Sequence, residues 1–360
     1  MRRRQRSLTA LVLAILPTTV GATAAPGPPP TTTIQVVRDD LRGPRHLVWD
    51  PHADRLLVAE AGLGGTGPCV PEPGGDLAMC YGPTGAVLAY EPATGTAHRI
   101  ATGLPSTVND IGIVRGIQDL AVRHGRIAAI FGLAGSPASR QGFGPAGRPF
   151  GQLVTLRPDG TVRPRVDLAA FEAAHNPDGD LINANPYALH SDRDGTTIAD
   201  SGANAVLAVA RDGTVRLLAA LPGPGAAESV PTSVVRGRDG ALYVGELTGQ
   251  PYTVGAARVW RLAPYEEPTV HATGFTNIID LAVDRQGRLL VLEIAEQGFG
   301  SEDPVGRLVR IELDGSHTVL ARDGLQHPAG VESTPNGDIY VTNHSTDLAG
   351  NGQLLRIRSR

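Results

Sequence analysis

One octapeptide pattern recurs along the chain and limits its fold. The stretch "DGALYVGE", residues 239–246, has counterparts that end at Glu60, Phe131, Asp200, Glu293 and Asn343, six copies in all. A short apolar strand and a turn signal precede each copy, and a third strand follows it. Short strands that recur every roughly 45 to 70 residues are typical of a β-propeller, so the sequence predicts an all-β fold with six blades.

The two ends of the repeat region predict how the ring closes. The last copy stops after its third strand, while the segment 33–41 precedes the first blade and resembles a fourth strand. We expect this N-terminal strand to complete blade six, because it then supplies the strand that the last copy lacks and locks the ring. The propeller is then a single domain over residues 33–360. One short helix is predicted at "DLAAFEAA", with Asp167 as its N-cap.

The N-terminal segment has the composition of an export signal. An arginine-rich start, an apolar run and small residues predict a signal peptide over residues 1–24, exported by the Sec or the Tat route, followed by a Pro/Thr-rich linker over 25–32. We therefore expect a secreted protein, extracellular or in the cell envelope, without a membrane span. In such a compartment Cys69 and Cys80 are expected to form a disulfide, the alternative being two free thiols.

Composition excludes several classes of function. The net charge is −4 and all 32 basic residues are arginines, scattered along the chain, which argues against nucleic-acid binding. The absence of lysine excludes a Schiff-base mechanism. No GxSxG or HExxH motif is present. The sequence predicts no catalytic residue, and we expect a monomer whose partner is an unidentified protein or small molecule.

The strand ends point to one face of the propeller. The second strand of each blade ends on the face where the innermost strands begin, and the long loops 61–84, 132–149, 247–255 and 294–305 belong to the same face. Acids end these strands at Glu60, Asp200, Glu246 and Glu293, with Asn343 in the same register. They either hold the following loop through backbone or arginine hydrogen bonds, or they take part in function.

Polar residues near the start of the innermost strands complete a predicted ligand-binding face. Its members are Gln118, Asp119, Asn185, Tyr187, Thr232, Glu246, Asp280, Glu293, His327 and Asn343. Asp119, Asn185 and Asp280 are expected to converge on the axis, where their oxygens are candidate ligands for calcium. The alternative is a polar, water-filled channel without a metal.

Several segments carry a family resemblance. "CYGPTGAV" at 80–87, "NANPYAL" at 183–189, "VPTSVV" at 230–235, "ALYVGELTGQPYTVGAARVWRL" at 241–262 and "GFTNIIDLAVD" at 274–284 resemble the ScyD/ScyE family. The resemblance covers nearly the whole mature chain. It implies a secreted six-bladed propeller similar to NHL-repeat proteins, generally without an assigned reaction.

Two functional hypotheses follow. The first is a binding or accessory module that holds its ligand on the loop-rich face, favoured by the missing nucleophile and lysine. The alternative is a calcium-dependent hydrolase similar to gluconolactonases and senescence-marker proteins, with Asp119, Asn185 and Asp280 on the metal and Glu246 or Glu293 as the base. A quinone-dependent sugar dehydrogenase is less favoured, because no catalytic histidine with cofactor-binding basic residues is evident.

Overall fold

The computed structural model describes residues 32–359 except 76, 158 and 303. The predicted signal peptide, and the predicted linker up to residue 31, lie outside the described residues. No helix in the described part of the chain is long and apolar enough to cross a membrane.

Six antiparallel sheets make up the molecule, and each is one blade of a six-bladed β-propeller, as predicted. The first described strand is β1 (Thr32–Leu41), the outer strand of the last blade. Blade one contains β2 (Pro44–Asp50), β3 (Arg55–Glu60), β4 (Cys69–Pro71), β5 (Ala78–Glu91), β6 (Thr96–Asn109) and β7 (Val114–Arg115). Blade two contains β8 (Ile117–Arg123), β9 (Arg126–Phe131), β10 (Gln152–Leu156) and β11 (Val162–Asp167), with α1 (Pro137–Gln141) between β9 and β10 and α2 (Leu168–His175) after β11.

The remaining blades repeat the same four-stranded plan. Blade three contains β12 (Pro186–Ser191), β13 (Thr196–Asp200), β14 (Ala205–Val209) and β15 (Val215–Ala220). Blade four contains β16 (Pro231–Arg236), β17 (Leu242–Glu246), β18 (Ala257–Leu262) and β19 (Thr269–Phe275). Blade five contains β20 (Ile278–Val283), β21 (Leu289–Glu293), β22 (Arg307–Ile311) and β23 (His317–Ala321). Blade six contains β24 (Gly330–Ser333), β25 (Ile339–Asn343) and β26 (Gly352–Ser359), and β26 pairs antiparallel with β1.

The innermost strands form a ring around a central axis. Each of β2, β8, β12, β16, β20 and β24 contacts the innermost strand of the next blade, and β24 contacts β2. Apolar side chains fill the space between successive blades, as where Ala199 of blade three packs with Val244 of blade four. This inter-blade packing fixes the positions of the strands that line the axis.

A β-bulge recurs near the start of the innermost strands. In blade two the register shifts between Ile117 and Asp119, and blades one, three, four and five shift at the corresponding position. A bulge re-aims the side chains beside it. In blades one, two and five these residues are His46, Asp119 and Asp280, all buried.

Two local predictions are confirmed. Cys69 and Cys80 form a disulfide that joins β4 to β5. Asp167 is the N-cap of α2, because its side chain accepts a hydrogen bond of 3.0 Å from the Ala170 N–H.

Candidate functional site

An ionic cluster occupies the centre of the ring. Nδ1 of His46 lies 3.4 Å from Oδ2 of Asp119 and 3.8 Å from Oδ1 of Asp280. Its Nε2 lies 3.3 Å from the Ile279 carbonyl oxygen. The three side chains come from blades one, two and five and are buried. His46 thus sits between two carboxylates on the axis of the propeller.

Both aspartates also bind the backbone of the next blade. Oδ2 of Asp119 accepts a 2.7 Å hydrogen bond from the Leu189 N–H of blade three. Oδ2 of Asp280 accepts one of 2.8 Å from the Val331 N–H of blade six. Oδ1 of Asp280 accepts another of 2.8 Å from the Ser233 hydroxyl of blade four. These carboxylates therefore hold neighbouring blades together.

The charges of the cluster favour a cationic histidine. Burial alone lowers the pKa of His46, but the carboxylates of Asp280 and Asp119 outweigh it and raise that pKa to about 9. Burial raises the pKa of Asp280 to about 6. At neutral pH we therefore expect protonated His46 to neutralise part of the negative charge in the channel.

A cavity of about 300 Å³ extends from this cluster towards the face with the short turns. The innermost strands of all six blades contribute to its lining. The cluster forms its buried floor, while His190, Arg236 and Glu332 on its wall are half-buried. The volume is at the lower end of the range for small-molecule pockets.

The cavity wall carries groups with opposite pKa shifts. Burial and the nearby Arg236 lower the pKa of His190. Burial raises the pKa of Glu332 to about 8, although its carboxylate accepts hydrogen bonds from backbone N–H groups. At neutral pH His190 is therefore uncharged and Glu332 protonated, so the cavity wall carries one candidate general base and one candidate general acid, on blades three and six.

Two large side chains, those of Arg45 and Tyr187, lie next to the cluster on the loop-rich side. The Arg45 guanidinium donates hydrogen bonds of 3.0, 2.9 and 2.7 Å to the carbonyl oxygens of Pro44, Ser345 and Val114. The Tyr187 ring lies edge-on to His46, with 5.5 Å between the ring centroids. Sequence reasoning missed both Arg45 and His46. The available signal was the register of "PRHL", which aligns His46 with Asp119 and Asp280.

Three of the four predicted acids at the strand ends bind arginines. Glu60 bonds Arg99 at 2.7 Å, Glu246 bonds Arg258, and Glu293 bonds Arg307 at 2.5 Å. All three carboxylates are completely buried, and none lines the central cavity. These contacts agree with the interpretation in which the acids hold the following loop through hydrogen bonds with arginines.

The other predicted residues also have structural partners. Oδ1 of Asn343 accepts from the Gln326 N–H at 2.8 Å. The Thr232 hydroxyl donates to the Ile278 carbonyl at 2.7 Å. Nδ1 of His327 lies 2.7 Å from the Thr346 hydroxyl. Gln118 is buried in blade two, and its Oε1 lacks a hydrogen-bond partner among the described residues.

The predicted calcium ligands are not assembled as one group. The Asn185 amide accepts from the Leu133 N–H and donates to the Ser201 hydroxyl. No described hydrogen bond links it to Asp119 or Asp280, whose oxygens already face N–H, O–H or imidazole groups. Among the described residues, no group of three or more His, Cys, Asp and Glu side chains is arranged to hold a metal ion. The channel residues therefore do not fit a calcium ion.

Comparisons with known proteins support the fold. No family model matches the sequence, and no curated protein matches it significantly. The ScyD/ScyE resemblance thus stays a prediction.

Several solved structures share the fold of this chain at low sequence identity. A gluconolactonase from Xanthomonas campestris has a TM-score of 0.58 at 13% identity, over 92% of this chain and 95% of that one. The calcium-binding protein regucalcin from Agrobacterium tumefaciens has a TM-score of 0.55 at 14% identity, over 90% and 92%. A protein of unknown function from Bacteroides thetaiotaomicron has a TM-score of 0.59 at 10% identity, over 92% and 76%. At these identities the likeness extends to the fold alone.

Proposed function

We propose that this chain is a binding propeller that holds a small polar molecule in its central cavity. The observation that carries the proposal is the cavity of about 300 Å³, to which all six blades contribute and whose floor is the cluster of His46, Asp119 and Asp280. Charged groups at the floor and wall, with apolar strands between them, suit a compact ligand rich in hydroxyl or carboxylate groups.

This proposal keeps the hypothesis of a binding module but assigns the binding site to the short-turn side of the channel. The loop-rich face was the predicted binding surface, whereas the Arg45 and Tyr187 side chains lie next to the cluster on that side. The short-turn side leaves room for a ligand beside His190, Arg236 and Glu332. Secretion, and the accessory role that the ScyD/ScyE resemblance implies, belong to the same proposal.

A cavity-filling variant tests the binding site. Ala121 lines the cavity, whereas Ala53 lies exposed in a turn on the same face. A calorimetric screen of hydroxy acids, sugar acids and their lactones should identify a ligand that binds wild type and Ala53→Phe alike. Ala121→Phe should abolish that binding. A ligand that binds Ala121→Phe as tightly as wild type would place the site elsewhere.

A second candidate function is hydrolysis of a small lactone in the same cavity. It is favoured by the uncharged His190 and the protonated Glu332 on the cavity wall, and a gluconolactonase is among the similar structures. His190 would take a proton from the water that attacks the carbonyl carbon. As the ring C–O bond breaks, Glu332 would donate its proton to the departing oxygen, giving a hydroxy acid.

Acid release from glucono-δ-lactone tests this reaction. Wild type should exceed the buffer rate, and His190→Gln should be at least about 100-fold slower, because general base catalysis contributes that much. His98 is exposed on an outer strand, so His98→Gln is the matched control. A wild-type rate equal to that of buffer, with binding intact, rejects hydrolysis and keeps the binding proposal.

A further inference from the structure

We propose that the loop between blades two and three, together with the end of the second strand of blade three, holds a calcium ion, bound by Glu172, Asp200, Asn176 and Asn183. The geometry that carries this inference is a set of buried side-chain oxygens without hydrogen-bond partners on the loop-rich face. None of these residues lines the central cavity. The site is therefore independent of the proposed binding function.

Glu172 supplies the first observation. It lies on α2 and is only 1% exposed, yet neither carboxylate oxygen has a hydrogen-bond partner among the described residues. The Asn183 N–H is near enough to lower its pKa but does not form a normal hydrogen bond. Burial and the nearby charges of Asp200 and Asp178 together raise the pKa of Glu172 to about 7. A buried carboxylate without a hydrogen-bond partner needs a positive charge or a proton to neutralise it.

Asp200 supplies the second observation. Its Oδ1 accepts hydrogen bonds from the N–H groups of Asn185, Gly202 and Ala203, at 2.7, 3.2 and 3.3 Å. Its Oδ2 is buried without a partner among the described residues. The side chain is thus fixed in orientation by one oxygen, while the other is available to a ligand.

The internal repeat shows what is different about Asp200. It ends the second strand of blade three, as Glu246 and Glu293 end theirs in blades four and five. Each of those glutamates pairs with an arginine from the adjacent strand. Asp200 is paired across the sheet with Ala205, so blade three lacks that arginine. A bound cation would supply the missing positive charge.

Two asparagines complete the oxygen set. Asn176 caps the C-terminus of α2, one turn after Glu172. Its Nδ2 donates to the Asp180 carbonyl at 2.7 Å, which fixes the amide orientation and leaves Oδ1 buried and unpartnered among the described residues. Oδ1 of Asn183 is likewise buried without a described partner. Asn183 also packs against Gly202, where an added Cβ would lie 1.9 Å from its carbonyl oxygen.

The chemistry of these donors selects the ion. All are oxygens, two are carboxylates, and together they offer five atoms. Calcium takes about six to eight oxygen ligands in flexible geometry, so water would supply the remainder. Two carboxylates also balance the charge of a divalent cation. Softer metals prefer thiolate or imidazole ligands, which this set lacks.

The test is calcium titration of the mature protein after treatment with a chelator. Calorimetry should give one site per chain, and the melting temperature should rise with calcium until it saturates. Glu172→Gln should weaken binding at least about tenfold, because affinity depends on the number of charged ligands. Glu293→Gln is the matched control, since its carboxylate is already paired with Arg307, and it should keep the wild-type calcium response.

The order of the melting temperatures of wild type and Glu172→Gln should reverse between chelator and calcium. A general effect of calcium on the fold would not produce this reversal. In chelator, Glu172→Gln should melt at or above the wild-type temperature, because it removes an uncompensated buried charge. In saturating calcium, wild type should melt above Glu172→Gln. An equal calcium response in both proteins would assign the ion to another site, and no response in wild type would mean that protons neutralise these carboxylates. Either result overturns the inference.

Discussion

Two pairs of buried acids in this propeller are neutralised in different ways. On the axis, Asp119 and Asp280 have His46 between them and accept hydrogen bonds from neighbouring blades. On the loop-rich face, Glu172 of α2 and Asp200 at the end of β13 have no such internal cation, and three of their four carboxylate oxygens lack hydrogen-bond partners in the described structure.

The difference shows which buried charges the protein neutralises with its own groups. Burial of a charge is costly unless it is paired and hydrogen-bonded. The axial pair meets both conditions with side chains of the same chain, so it acts as part of the core. The loop pair does not, and its stability should therefore depend on protons or ions from solution.

The largest expected effect is at the axis. Asp280→Ala should cost about 3 to 5 kcal/mol of unfolding free energy, because removing one partner leaves a buried charge poorly compensated. The Val331 N–H would also lose its acceptor. Urea denaturation measures this loss. A loss of unfolding free energy below about 1 kcal/mol would mean that His46 does not carry the positive charge that neutralises the axial carboxylates.

A smaller effect is expected from two matched substitutions at strand ends. In chelator, Glu293→Gln should cost about 1.5 to 3 kcal/mol, because it breaks a charged hydrogen bond to Arg307. Asp200→Asn should be neutral or stabilising under the same conditions, since it keeps Oδ1 and removes an unpaired charge. Equal losses of unfolding free energy in urea denaturation would show that the Asp200 carboxylate is as well compensated as that of Glu293. The proposed difference between paired and unpaired acids would then be wrong.

The last effect, a pH dependence from the axis, is smaller per pH unit than the cost expected for Glu293→Gln. The pKa of His46 is about 9 in the folded protein and about 6.5 when unfolded. Its contribution to stability is therefore complete below about pH 6.5 and is lost as the pH rises through 9, at no more than about 1.4 kcal/mol per pH unit.

Melting temperatures measured in chelator from pH 7 to 10 check this dependence. Wild type should lose stability more steeply than His46→Gln over this range. The pKa of Asp280 is about 6, below this range, and Glu332, whose pKa is about 8, is present in both proteins, so the difference in slope between them reports His46. Parallel curves would contradict a cationic histidine.

The fold was predictable because the repeat is regular. Six copies of one strand pattern, with turn signals between them, indicated the number of blades and the strand order. The disulfide and the Asp167 cap were predictable for a similar reason, since each depends on nearby residues. In contrast, the axis brings together residues that are far apart in the sequence. His46 and Asp280, for example, share only their equivalent position in the repeat.

The site was predictable in part. Asp119 and Asp280 were correctly expected near the axis, but whether they bind a ligand stays a prediction. Asn185 was aligned with them from the repeat, although its side chain turns to Leu133 and Ser201. The arginine partners of Glu246 and Glu293 could be anticipated only in general, because side-chain orientation depends on inter-blade packing.

The hydrogen bonds that Asp119 and Asp280 accept from the next blade have a consequence for the motions of the ring. The Leu189 and Val331 amides are each held by a carboxylate of the preceding blade. Opening either blade junction must break a charged hydrogen bond in the protein interior. These two amide hydrogens should therefore exchange with deuterium only when the molecule unfolds as a whole, which would make them reporters of global opening.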